Sequence, residues 1–417
     1  MTAKFLKLSL ALLSVQLTAF QIYGQNKNPK VDSLAMDVTY HENTLHVQAR
    51  YFYNGSNNET DSIYFSLNPS FKIDKISSPG LLSHKMTLKK GRPFPFMILK
   101  FDKPLDGKPR EVDFDYVIDL EKVTQIKYGW IELMVDQFWF PNATDLDNKF
   151  VSHVTVKGLP ADYSLYTYHS FHENPDHSYI IDEHKPTAET TFLAGRNMTQ
   201  KTSTSGSIRI TFFTSNDTPD STLASINKKM VDIITLYNAS FGKLMPVNKF
   251  TIALRTFPRK LLNSQTTRDG FVITGTEFNS YGNYAHEFGH FWWSDASFLR
   301  EPWLNESFAN FSMMKALRKF DPQQADKSYA LFKKKAELPG PVSTVGVFDP
   351  NAYDLYYSKG CSLLLELEEK IGTKKMDRFL QRRIKDKLNT NTAVLDALES
   401  PTDKETRVAF EAKLKGS

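Results

Sequence analysis

The feature that most constrains this chain is a change of period. From about Ser33 to Ser215 apolar and β-branched residues alternate or fall in short runs, whereas after Asp217-Thr218-Pro219-Asp220 they recur at helical spacing. A period of two suits strands with one buried face and a period of 3.6 suits helices, so the two parts call for different layer architectures. Expected strands are 44–53, 61–67, 96–101, 112–118, 151–156, 164–170 and 208–213, with turns at Asn54-Gly55-Ser56-Asn57 and Ser78-Pro79-Gly80. They predict a β-sandwich-like N-terminal domain over residues 25–217. Beyond it, Leu223, Ile226, Met230, Ile233, Ile234 and Tyr237 mark a helix over 221–241. Strands at 249–255 and 270–274 then precede helices at 282–293, 303–320, 359–371 and 374–387, giving a mixed α and β domain over 218–417.

The first 24 residues read as a signal peptide: Lys4 and Lys7 are followed by an apolar stretch from Leu8 to Phe20, with cleavage expected after Gly24. No second segment reaches spanning length, so the mature protein is expected to be secreted or periplasmic and to have no transmembrane segment. Formal net charge is +5 with Lys and Arg scattered, which argues against a nucleic-acid groove. The single cysteine, Cys361, rules out an intramolecular disulfide and sits in an apolar run as a small hydrophobe. A secreted chain without disulfides is ordinary for a bacterial periplasmic enzyme.

One motif carries chemistry. In His286-Glu287-Phe288-Gly289-His290, residues i and i+4 share a helix face, so both imidazoles can reach one ion, and Glu287 lies beside them to accept a proton. Zinc needs a third protein ligand and an open fourth position. Glu306, within Trp303-Leu304-Asn305-Glu306 at the start of a second helix opened by Pro302, can supply it if a short loop joins the two helices. Asn310, four residues after Glu306, can share its face and support a metal ligand or can equally be an ordinary helix-surface residue, and it stays outside the expected site. His169, His172, His177 and His184 read as exposed loop histidines.

These segments together resemble the gluzincin metallopeptidases of the aminopeptidase N and leukotriene hydrolase type. The resemblance rests on His286 to His290, Trp292-Trp293, the Trp-Leu-Asn-Glu segment ending at Glu306, and Tyr357-Ser358-Lys359-Gly360, with Trp139-Phe140-Pro141 as a looser match. It implies a thermolysin-like catalytic domain, Zn²⁺ held by His286, His290 and Glu306, Glu287 as general base, Tyr357 as a hydroxyl that stabilises the tetrahedral intermediate, and peptides as substrates. The link from His290 to Glu306 is shorter than the family's. The family's Gly-Ala-Met-Glu-Asn strand, which binds a substrate's free amino group, has no counterpart in Thr266-Thr267-Arg268-Asp269-Gly270. Glu132 and Asp269 are the candidate replacements, and surface charge is the plainer reading of both. An aminopeptidase-like enzyme is therefore expected, beside an endo- or oligopeptidase and a zinc-containing peptide-binding protein without turnover.

Overall fold

The computed structural model describes residues 31–416 except 55–59, 89–94, 106, 144–147, 244–247, 256, 258–264, 268–270 and 348. The expected leader, the Gly55-Ser56-Asn57 turn and Asp269 lie outside the described residues. Chain contacts divide between Asn197 and Met198 into two compact units.

In the first unit a seven-stranded sheet runs Ser170–Glu173, Tyr179–Thr187, Phe150–Lys157, Asp32–His41, Thr44–Tyr53, Arg110–Asp119 and Lys72–Ser77 from edge to edge. The pairing of Asp32–His41 with Phe150–Lys157 is parallel, and the other pairings are antiparallel. A four-stranded and a three-stranded sheet complete the unit. Alternation decides which face is buried: along Arg110–Asp119, Val112, Phe114, Tyr116 and Ile118 are buried and the residues between them are not. Their core includes Tyr51, Phe65, Trp139 and Phe140; the Trp139 indole donates to the Thr190 carbonyl at 3.0 Å, and the Tyr116 hydroxyl to the Trp139 carbonyl at 2.9 Å. Of the histidines expected in an exposed loop, His177 lies in the turn of the hairpin Ser170–Glu173/Tyr179–Thr187, His172 and His184 lie exposed on its strands, and His169, just before it, is buried.

The second unit is built on a mixed five-stranded sheet in the order Met198–Ser205, Ile208–Ser215, Asn248–Arg255, Phe271–Gly275 and Gln265–Thr267. Its three central strands are parallel and both edge pairings are antiparallel. The hairpin 198–215 thus belongs to this sheet, which places the division between units upstream of the boundary expected at 217. Its period of two could not reveal which sheet it joins.

Helices Asp220–Phe241, Tyr281–Gly289, Pro302–Phe320, Pro322–Ala336, Gly360–Ile371, Thr373–Lys385, Asn391–Glu399 and Lys404–Lys415 share one core with that sheet. The helix expected to run to Trp293 stops at Gly289 and continues as tight turns, with the Trp292 and Trp293 amides both donating to the Gly289 carbonyl at 3.0 Å.

Candidate metal centre

Two helices present the chemistry. The histidine helix, Tyr281–Gly289, begins where the Ser280 side chain accepts from the Asn283 amide, and His290 is its C-terminal cap. The glutamate helix, Pro302–Phe320, starts with proline at its first turn, where a missing N–H costs nothing. Gly289 lets them meet: a Cβ there would lie 2.9 Å from the Ala309 Cα. The other conspicuous residues hold the pair in place. Trp293 donates to the Ser312 hydroxyl at 2.7 Å and Trp292 to the Gly242 carbonyl at 3.1 Å. Asn305 bonds the backbone of Ala296 in both directions, fixing the connecting loop. Arg383, buried and 3.9 Å from the Phe308 ring centroid, donates to the Leu304 carbonyl at 3.1 Å.

These supports bring three ligand atoms to one point. His286 Nε2 and His290 Nε2 are 3.2 Å apart, and Glu306 Oε2 stands 3.6 and 3.5 Å from them. Donors at zinc bond lengths in a tetrahedral shell are separated by roughly 3.3–3.6 Å, so the set fits zinc in both chemistry and spacing. Glu306 Oε2 is buried and accepts no hydrogen bond, as expected of an atom shaped to face a cation. Among the described residues this is the one cluster of His, Cys, Asp and Glu close enough to hold a metal ion.

Burial, and then the neighbouring His290, holds the His286 imidazole below its usual range. Burial would also lower His290, but Glu306 overrides it and pushes that imidazole up to about 9. Burial raises Glu306, yet the imidazoles and the Tyr357 hydroxyl outweigh it and keep the carboxylate below its ordinary value. Glu287 is buried on the same helix and acts electrostatically on both imidazoles and on Tyr357.

Tyr357 lies in a π-helical turn, Asp354–Lys359, of the kind that recurs at functional sites. Its ring stacks with His286 at 5.6 Å between centroids and with the exposed Tyr353 at 4.3 Å. Burial, reinforced by Glu306, pushes the Tyr357 phenol well above its usual value, so it remains a hydrogen-bond donor at neutral pH. Gly360 is required behind it, because a side chain there would collide with the Ser307 hydroxyl.

The structure therefore places His286, Glu287, His290, Glu306 and Tyr357 together. Glu132 belongs to the other unit, on strand Trp130–Leu133; it is buried and accepts from the Trp130 indole at 2.8 Å, so it is not a surface charge. Sequence reasoning left out Asn310. Its Oδ1 is 2.8 Å from His286 Nδ1 and its Nδ2 donates to the Tyr357 carbonyl at 2.7 Å. The available signal was its position one helical turn after Glu306.

A two-unit α/β chain with two histidines and a glutamate converging beside a buried acid defines a class of fold and site. The sequence matches no protein-family model and no curated protein. The fold is that of solved M1 zinc metallopeptidases. The chain superimposes on the enzyme from Deinococcus radiodurans with a TM-score of 0.63 at 16% identity, covering 93% of each chain. A mutant of that enzyme bound to a Tyr-Ser-Ala substrate gives a TM-score of 0.63 at 16% identity, covering 93% of this chain and 94% of the other. Leukotriene A4 hydrolase from Saccharomyces cerevisiae gives 0.68 at 14% identity, covering 93% of this chain and 68% of that one. At these identities the likeness is one of fold.

Proposed function

We propose that this chain is a secreted, zinc-dependent metallopeptidase of aminopeptidase-like type, with a β-sandwich-like domain preceding a thermolysin-like catalytic domain. The observation that carries the reading is the convergence of His286, His290 and Glu306 to within 3.2–3.6 Å, with Glu287 and Tyr357 beside them. A zinc ion in this set would supply Lewis-acid polarisation of a carbonyl or of water. Glu287 is the group to take a proton from attacking water and return it to the leaving amine. The Tyr357 hydroxyl, held protonated, donates to the oxyanion as it develops. A purely structural zinc site would need neither group, which favours catalysis over peptide binding without turnover. The fold neighbour bound to a tripeptide substrate supports a peptide as the ligand.

Glu132, a buried acidic residue beside the Trp130 indole, is the candidate contact for a substrate's free amino end. The second reading, an endo- or oligopeptidase, is favoured by the strand sequence Thr266-Thr267, which lacks the family's amino-binding glutamate. Cleavage of free and N-acetylated peptides of equal length, with a chelator control, separates them. The aminopeptidase reading expects free peptides to be cleaved at least tenfold faster, and Glu132→Gln to erase that preference. Equal rates would favour the endopeptidase, and no cleavage of any peptide by zinc-loaded protein would favour the binding protein.

A further inference from the structure

We propose that Asn310 is a positioning residue whose single amide sets both the tautomer of His286 and the placement of Tyr357. The inference rests on the metal-site reading above and deepens it. The Tyr357 carbonyl can only accept a hydrogen bond. Asn310 must therefore turn its NH₂ toward that oxygen, at 2.7 Å. This leaves Oδ1 facing His286 Nδ1 at 2.8 Å, and Oδ1 can only accept. Nδ1 then carries the ring proton, and the lone pair of Nε2 points at His290 and Glu306. One buried amide thus fixes a metal ligand's protonation pattern from the backbone of the residue that offers the hydroxyl.

The π turn explains why such a tie is needed. Its backbone ladder is shifted by one residue, with the Gly360 amide donating to the Leu355 carbonyl. Two successive carbonyls of the turn, Tyr356 and Tyr357, receive side-chain hydrogen bonds from the glutamate helix. Ser307 donates to the first at 2.6 Å and Asn310 to the second at 2.7 Å. Ser307 and Asn310 both follow Glu306 within four residues on one helix, so the ligand and the hydroxyl donor are referred to the same rigid element. The Ser307 hydroxyl donates to the turn, whereas the Asn310 amide joins the turn to the metal ligand.

The test uses Asn310→Ala and Asn310→Asp in the full chain, read by zinc affinity in chelator competition and by kcat and KM on one peptide. The aspartate still accepts from His286 Nδ1 but cannot donate to the Tyr357 carbonyl. Asn310→Ala is expected to weaken zinc about 10–100-fold, the usual effect of losing such a partner. Asn310→Asp is expected to keep zinc affinity within about threefold while kcat falls about tenfold or more at little-changed KM, since one displaced oxyanion donor has effects of that order. Equal zinc affinity in all three proteins, or full kcat in Asn310→Asp, overturns the proposal. A parent protein that binds zinc without cleaving peptides would defeat the peptidase reading, while the affinity comparison would still decide the tautomer role.

Discussion

Both units place histidines beside carboxylates, with opposite results. In the first, His153 Nδ1 lies 2.6 Å from Asp182 and His169 Nδ1 lies 2.9 Å from Glu183, each histidine beside its own carboxylate. In the second, two histidines and one glutamate share a point. The difference follows from geometry rather than composition. Asp182 and Glu183 are successive residues of strand Tyr179–Thr187 and so address opposite faces of the sheet, which prevents their partners from meeting. His286 and His290 are one helical turn apart and share a face, leaving only the third ligand to come from elsewhere. Strand neighbours make separate hydrogen-bonded pairs; a helix turn makes half of a metal site.

That contrast can be broken most sharply at Glu287. Glu287→Gln should lower turnover by about 10²–10⁴-fold, the range for a lost general base, with zinc retained by metal analysis. Unchanged turnover would remove the acid–base role. Tyr357→Phe should lower kcat by about 10²–10³-fold with KM nearly constant, and a change confined to KM would show that the hydroxyl serves binding alone. The smallest effect belongs to the first unit. His169→Ala should leave zinc content and activity unchanged and cost about 1–3 kcal/mol in denaturant unfolding, because Glu183 loses a buried partner.

Its pH signature has a definite sign. Burial raises Glu183, but the His169 hydrogen bond and the Lys185 amide and charge outweigh it, so the folded carboxyl lies below its ordinary value of 4.5. The stabilisation is present above that value and is lost as pH falls through the lowered one. The variant should therefore show a flatter loss of stability on acidification, and an identical acid profile would show that the pair contributes nothing.

The same contrast explains what could be read from the sequence. The zinc motif was legible because its geometry is local: helical spacing fixes the two histidines, and Pro302 with Trp303-Leu304-Asn305 announces the next helix. The strand Thr44–Tyr53 was equally plain from its β-formers. The burial of His169 was not, because its partner Glu183 lies 14 residues away on a neighbouring strand. Nor was the helix Pro322–Ala336, which buries only Ala325 and Phe332 and so carries almost no apolar stripe. Asn310 stayed undecided between a supporting and a surface role, because what settles it is the Tyr357 carbonyl, 47 residues further along the chain. Residues tied to a distant backbone atom leave no periodic trace.

The π turn has a consequence for how this site tolerates change in chain length. It holds one residue more than an α-helical turn would between the same hydrogen-bonded ends. Deleting one residue from Asp354–Lys359 would let the segment relax into the α-helix that follows at Gly360–Ile371, with no glycine or proline lost. Each residue of an α-helix turns about 100°, so the Tyr357 hydroxyl would swing away from Glu306, and the Ser307 and Asn310 bonds to the turn would be lost with it. The site thus depends on a single inserted residue, and a change of chain length there is decisive for the chemistry.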